Sequence, residues 1–432
     1  MLPPPPQNVV HGWMSTPNIR GTRDILSSSL STIWLCTWTC LYLNIPPPRS
    51  RRGHRALLYK FRWQLFTIFF PEVLVGTAAE QWSSARQSVT AFSRLGHSEW
   101  TIRHGFFADM GGILIAPLDC EPFPVDSQQL AYLVENKHMD MPDITVEDVT
   151  SVDKANGLAR FVTLLQMAWF CISCIARGAG GLGFSTLEVT TLAFILCTLH
   201  TFFFWYYKPL DPEIQKVLPV NAEIKHLCQR PGVDPDLPES YTITPLDFVK
   251  PPPDPKSLVT PFWFGLAVVF GQDRTATHAS RPAQNLPNSR VLPQDGVSMA
   301  LTIYVLTFQL IYYGLHIGFG WIAAFPSVIE WYLWTVSNGA DFGLVLLYVL
   351  AIPVGTHFAP YLGRLLFDRE TTSIIQVASA LPYWAKLVIH GPFVVVYIIG
   401  RAVVLVESLA SLRALPQAVY EDISWSNFLP HL

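Results

Sequence analysis

Charge is what this chain has least of. Only 14% of its 432 residues are Asp, Glu, Lys or Arg, against about a quarter in ordinary soluble domains. The 29 basic and 32 acidic residues leave a net charge of −3, so there is no global electrostatic pull toward nucleic acid. Seven cysteines, an odd number, lack the paired spacing of a disulfide framework or a zinc site. Cys171 and Cys174 form a CxxC, but inside an apolar run, where two small interior residues are a simpler reading than a redox pair. No Asn-x-Ser/Thr acceptor occurs, which speaks against a heavily exposed cell-surface protein. The basic-then-apolar start of a cleavable signal is also missing, because the first apolar run begins near Ile25, and targeting would fall to that run itself. No P-loop, Rossmann glycine pattern, Gly-x-Ser-x-Gly or His-Glu-x-x-His is present. The two halves show no repeat, which removes the usual sequence pointer to a secondary transporter.

Long apolar runs are what the chain does have. Leu158 to Ala176 carries one charge, Arg160, and Val189 to Tyr207 carries none. Each run in helical form spans roughly 30 Å, about the hydrocarbon thickness of a bilayer. The expected fold is therefore all-α, a polytopic transmembrane bundle of about seven spans, at 25–45, 61–79, 157–179, 187–207, 297–319, 327–354 and 386–409. A mobile tail, 1–24, would precede them and a short polar tail, 410–432, would follow. The 35 prolines cluster outside the runs and punctuate loops; the long segments 80–156 and 208–296 read as irregular. Within them, His104 to Leu118 is too short to cross and reads as interfacial or re-entrant, and Leu258 to Phe270 reads as an amphipathic patch. Arg49, Arg51, Arg52, Arg55 and Lys60 put residues 46–60 in the cytoplasm; seven crossings starting outside would leave the carboxyl terminus there too. Ser185-Thr186-Leu187-Glu188 matches a capping box. Gly314 and Gly318 have the spacing that lets helices approach closely. The sixth span looks broken near Ser337-Asn338-Gly339, with Glu330 and Asp341 as solvated helix ends.

Helical spacing sorts the polar residues of the spans onto stripes. Thr163, Gln166, Ser173 and Arg177 share a face, as do Glu188, Thr191 and Thr198. Thr302, Gln309, Tyr313 and His316 do so on the fifth span, and His390, Tyr397, Arg401 and Ser408 on the seventh. Interhelical hydrogen bonding accounts for the Thr, Ser and Gln, at under about 2 kcal/mol per pair. Histidine and arginine are expensive as glue, so Gln166, Arg177, Gln309, His316, His390, Tyr397 and Arg401 are candidates to line a polar cavity. Glu72 lies mid-span after Pro71. Ionised and alone it would be costly, so it is either a protonated general acid or the counter-charge of Arg177 or Arg401. His104 and Asp109 do not share a helical face, so no metal site is expected there. No cofactor is implied.

Several stretches are distinctive in combination: RGTRDI at Arg20, LCTWTC at Leu35, LNIP at Leu43, PEVLVGTAAEQW at Pro71 and WTIRHGFFADMGG at Trp100. DKANGLA at Asp153, TLEVTTLAF at Thr186, KPLD at Lys208, FPSVIEWYLW at Phe325, SLRALPQAVYEDISW at Ser411 and the final NFLPHL continue the set. From about Arg20 onward the chain resembles a large group of uncharacterised fungal multi-pass membrane proteins. The resemblance implies an all-helical membrane protein, complete at its carboxyl end, of a kind expected beside secondary-metabolite pathways, where membrane terpene cyclases occur. It carries no functional residues with it. The paired aspartate-rich motifs of prenyltransferases and the Trp-His-Gln type motif of wax-synthase-like acyltransferases are absent.

Three functions follow as alternatives. One is a membrane-embedded, terpene-cyclase-like enzyme acting on a prenyl or lipid-like substrate, with Glu72 supplying the proton and some of the 14 Trp, 27 Phe and 15 Tyr stabilising a carbocation. A second is a transporter or channel for a small molecule, and a third is a receptor or scaffold without chemistry. The expected partners are the lipid bilayer and a lipophilic small molecule, not nucleic acid, and the expected location is an endomembrane, the ER before the plasma membrane.

Overall fold

The computed structural model describes residues 8–15, 20–51, 53–150, 154–210, 215–228, 244–249, 283–286, 288, 299–323, 325–372 and 374–423. It is mostly helical and contains two small sheets. Among the described residues, four helices are long and apolar enough to cross a membrane: Gly157–Ala179, Thr186–Phe204, Ile303–Gly320 and Tyr383–Arg413. Four is fewer than the seven expected, and the difference has local causes.

The first expected span is a shorter helix, α1 (Thr22–Thr39). The prolines at 46–48 stop any continuation, and Cys40 to Ile45 run on as buried non-helical chain. The second expected span is two helices, α2 (His54–Phe69) and α3 (Pro71–Arg94), broken at Phe70. Proline has no N–H to lose at the first helical position, and its fixed φ starts a helix there. The Lys60 ammonium lies over the Trp38 ring near the end of α1. Gln81 meets Lys208 (Nζ to Oε1 2.7 Å) just past α8, the helix Thr186–Phe204. From each of those levels to Phe70 is about ten residues, or about 15 Å of helix, half a bilayer core. The segment 61–79 therefore forms a re-entrant hairpin with its turn at mid-bundle, where a crossing was expected.

The remaining long helices are α7 (Lys154–Ala179), α10 (Met299–Gly320), α11 (Val328–Phe367) and α13 (Tyr383–Ala410), with the short α12 (Ile374–Ala380) between the last two. The helices α7 and α8 barely touch, because α1 packs against both. Helix α8 opens as expected: Ser185 accepts from the Glu188 N–H at 3.3 Å while the Glu188 carboxylate accepts from the Ser185 N–H at 3.0 Å. Helix α11 runs unbroken through Ser337-Asn338-Gly339, since the Asn338 amide satisfies itself on the Trp334 carbonyl at 2.9 Å. Asp341 is thus not a solvated helix end but a fully buried mid-helix residue. Glu330 does lie at the start of α11, held by Ser327 and Arg413. The expected meeting of helices at Gly314 and Gly318 does not occur among the described residues: a Cβ on either finds no atom within 4 Å. Close approach falls instead at Gly400, where a Cβ would stand 2.5 Å from Asp341 Oδ1.

Residues 8–15 and 414–423 lie together at one end of the bundle. Val9–His11 (β1) pairs antiparallel with Ala414–Pro416 (β5), and the Arg20 N–H bonds the Tyr420 carbonyl at 3.0 Å. Residues 8–15 are accordingly held in place, unlike the mobile tail expected for 1–24. The seven-span bundle expected from the sequence is not confirmed among the described residues.

The long segments are not wholly irregular. Within 80–156, α4 (Ile102–Asp109), α5 (Ser127–Glu135), α6 (Val146–Thr150), β2 (Ile113–Ala116) and β3 (Phe123–Pro124) form a small α/β layer at the α3 carboxyl end. The segment 208–296 adds β4 (Lys216–Pro219), parallel to β2, and α9 (Ile224–Leu227). Its core contains Phe92, Trp100, Ile113, Ile115, Phe123 and Leu130, all buried. His104 to Leu118 lies in this layer as helix and strand rather than as a re-entrant helix. Gly105 permits α4 to lie on α3, since a Cβ would sit 2.9 Å from the Ala85 Cα. Leu258 to Phe270 and the end of the chain beyond residue 423 lie outside the described residues.

Candidate functional site

The expected cavity residues separate into two places. The first is the turn of the re-entrant hairpin. Breaking a helix at Phe70 leaves the last carbonyls of α2 and the first N–H groups of α3 without helical partners. Arg401, fully buried on α13, meets the first need: its Nε donates to the Phe69 carbonyl at 3.1 Å. Glu72 lies in the first turn of α3, where a negative charge is favoured by the helix dipole. The two side chains then face each other, Arg401 Nη2 to Glu72 Oε2 at 3.6 Å. Tyr313 donates to Glu72 Oε1 at 3.1 Å, and Tyr397 donates to the same oxygen. Arg401 Nη2 also donates to the Tyr312 hydroxyl at 2.5 Å. Of the two states open to Glu72, the structure displays the one paired with Arg401, not Arg177.

Asp341 is the odd member of this cluster. It lies against Gly400, next to Arg401, within electrostatic range of both Arg401 and Glu72. Its exposure is 0%, and neither carboxylate oxygen has a hydrogen-bond partner among the described residues. The cluster therefore holds two carboxylates and one guanidinium. One helical turn along α10, His316 donates or accepts at Nδ1 with the Tyr312 carbonyl (3.0 Å), and its Nε2 has no partner among the described residues. Gln309 lies on the same helix, buried, with its Oε1 unpartnered among the described residues. His390 is half-buried on α13, two turns before Tyr397.

The second place is a groove of about 550 Å³ between α1 and α7, at the end of the bundle where residues 8–15 and 414–423 lie together. Gln166 lines it and donates to Thr32 at 3.1 Å. Arg177 lines it too, but its guanidinium grips backbone: Nη1 donates to the Glu421 carbonyl at 2.9 Å, and Nη2 to Gly183, Ala418 and Val419 at 3.0, 3.2 and 2.8 Å. Glu188 adds an ion pair to its capping role, with Arg20 at 2.5 Å.

Sequence reasoning missed Arg20, which it assigned to the tail, and Asp341, which it assigned to a helix end. For Asp341 a signal existed: a lone carboxylate ten residues from any other charge in a run of apolar residues. It also missed Lys208, buried at the end of α8 and bonded to the Tyr42 carbonyl at 2.6 Å. His104 is not a ligand in waiting. Its Nδ1 accepts from the Thr101 N–H at 3.0 Å and its Nε2 meets the Ile144 carbonyl at 3.0 Å. Among the described residues no group of three or more His, Cys, Asp or Glu is placed to hold a metal.

Fold and site together define a mostly helical protein, with helices long and apolar enough to cross a membrane and ionisable side chains buried inside the bundle. A family model matches residues 4–227 and 297–432, most of the chain, and the protein belongs to that family, described as a family of unknown function (DUF8562). No curated protein and no solved structure matches the chain.

Proposed function

We propose that the protein is a membrane transporter for a small molecule, with Glu72, Arg401 and Asp341 as a centre that responds to a proton or a monovalent cation. The observation that supports this most is Asp341, buried with both oxygens unpartnered beside an ion pair. An uncompensated charge in a low-dielectric interior is costly, so an arriving proton or cation is needed to balance the second carboxylate. The groups facing this centre are Glu72 from α3, Tyr312, Tyr313 and His316 from α10, Tyr397 and Arg401 from α13, and Cys197 from α8. Neutralising Asp341 leaves Arg401 to Glu72, the Phe69 carbonyl and the Tyr312 hydroxyl. The charge state of α11 is thereby coupled to the hairpin turn. Non-helical backbone at membrane depth is tolerated where protein buries it or it lines a wet cavity, and ionisable residues there mark transport paths by default.

A cyclase acting through Glu72 has less support. That carboxylate is already engaged by two tyrosine hydroxyls and a guanidinium, and it does not line the groove. With the basic segment 46–60 cytoplasmic and no glycosylation acceptor, we place the protein in an endomembrane, the ER before the plasma membrane. The secondary-metabolite setting supplies the class of lipophilic cargo.

Expression in a host lacking the protein, with metabolite profiling of cells and medium at two external pH values, tests the proposal. The expected result is that existing compounds redistribute between cells and medium. The redistribution should depend on pH in wild-type and be lost in Asp341→Asn at matched protein levels. A new compound whose formation requires Glu72 would establish the enzyme instead. Unaltered profiles in every strain would leave the scaffold.

A further inference from the structure

The groove between α1 and α7 is a different matter from the mid-bundle cluster, and it stands whether or not the protein is a transporter. Its polar end gathers Arg20, Asp24, Arg177 and Asp422 at the level where α1 begins and α7 ends. Its far wall is Trp169 and Phe170, two turns back along α7. Eight residues from Arg177 to Trp169 are about 12 Å of helix, the depth of a headgroup and the first part of an acyl chain. Most of α7 is open to its surroundings, with only 22% of its apolar window buried, so the groove opens sideways toward lipid. A volume of about 550 Å³ falls within the range of ligand sites, roughly 300–1,000 Å³.

Charge decides which lipid. Arg20 is already neutralised by Glu188 at 2.5 Å. Arg177 meets only carbonyl groups, so its positive charge is uncompensated by the bonds it makes. The only bond Asp24 accepts among those described is from the Gly21 N–H at 2.9 Å. Asp422 is exposed at the rim. Arg177 lies within electrostatic range of Glu188 and Asp422, and the two cations and three anions that line the groove leave it net negative, a balance that repels a net-anionic headgroup. We infer that this groove holds a zwitterionic glycerophospholipid, its phosphate toward Arg177 and Arg20, its ammonium toward Asp24 and Asp422, and one acyl chain along Trp169 and Phe170. The lipid would also brace the bundle, because Arg177 is the side chain that fastens residues 418–421 to α7.

The test is native mass spectrometry of the full chain released from nanodiscs of equal parts phosphatidylcholine, phosphatidylethanolamine and phosphatidylglycerol. One phosphatidylcholine or phosphatidylethanolamine should be retained per chain in preference to phosphatidylglycerol by roughly fivefold, the ratio for one charge contact of about 1 kcal/mol. Ser173→Trp, which fills the groove without touching its charged residues, should abolish retention. Asp422→Lys should turn the preference toward phosphatidylglycerol. Equal retention of the three lipids by the wild type, retention unchanged in Ser173→Trp, or a preference unmoved in Asp422→Lys would each overturn the assignment. Thermal stability in detergent separates misfolding from loss of lipid. Inorganic phosphate alone, added to the delipidated protein, should give no stabilisation; stabilisation equal to that given by phosphatidylcholine would make the site one for free phosphate.

Discussion

The Glu72–Arg401 pair can be separated from its surroundings by a double-mutant cycle. In Glu72→Gln the amide still accepts from Tyr313 and Tyr397, but the Arg401 guanidinium keeps only the Phe69 carbonyl and the Tyr312 hydroxyl. In Arg401→Met the chain length is kept, Glu72 keeps its two tyrosines, and the Phe69 carbonyl loses its donor. Arg401→Met leaves two buried carboxylates without a cation, and a buried charge left uncompensated costs about 3–5 kcal/mol; in Glu72→Gln, Asp341 still stands within electrostatic range of Arg401, so the cost should be smaller. Unfolding entropy of about 2.1 cal/mol/K per residue gives roughly 0.9 kcal/mol/K for a chain this long, so Arg401→Met should lose about 3–6 °C in Tm and Glu72→Gln less. The double variant removes both charges together, and its loss should be well below the sum of the two singles. Thermal unfolding in one detergent, followed by tryptophan fluorescence with all four proteins side by side, measures it. Losses that add to within about 0.5 kcal/mol would mean that the two charges do not stabilise each other, and the account of the hairpin turn would fail with them.

Two further outcomes follow from packing and from charge. Gly318→Leu should change stability by less than about 0.5 kcal/mol, as an open position does, whereas Gly400→Ala should cost about 1–3 kcal/mol because its Cβ meets the Asp341 carboxylate; equal effects in a detergent stability assay would refute the placement of α11 against α13. In the α/β layer, burial first and Asp126 second push Asp109 up from 3.8 to about 6. A carboxyl with a raised folded pKa binds its proton more tightly when folded, so stability is highest below pH 4 and is lost as pH rises from about 4 to about 6. Asp109→Asn should flatten the stability profile over that window and raise stability at pH 7; an unchanged profile counts against the buried pair.

What the sequence disclosed, and what it concealed, comes down to which residues act alone. The helices α7 and α8 were legible because length and apolarity are properties of a single run, and the cap at Ser185 because its partners are three residues apart. The break at Phe70 was less so. Pro71 was visible, but a proline in an apolar run marks a kink, a break or a helix start equally well. What decides between them is Arg401, 332 residues away on α13, waiting to take the Phe69 carbonyl. The α/β layer was hidden for a similar reason: β2 and β4 lie a hundred residues apart, and each is four residues long. Gly314 and Gly318 show the reverse error, a local spacing that implies contact when the partner helix is elsewhere. Of the polar stripes, Tyr397, Arg401 and Tyr313 did converge, because histidine and arginine inside a span must be answered by something. Asp341 did not register, because a single carboxylate near Gly339 resembles a helix end until the helix is seen to continue. That same residue is the one now left without a partner. A buried charge that local sequence logic explains away, and that the fold then leaves unanswered, marks the place where stability alone does not account for the residue.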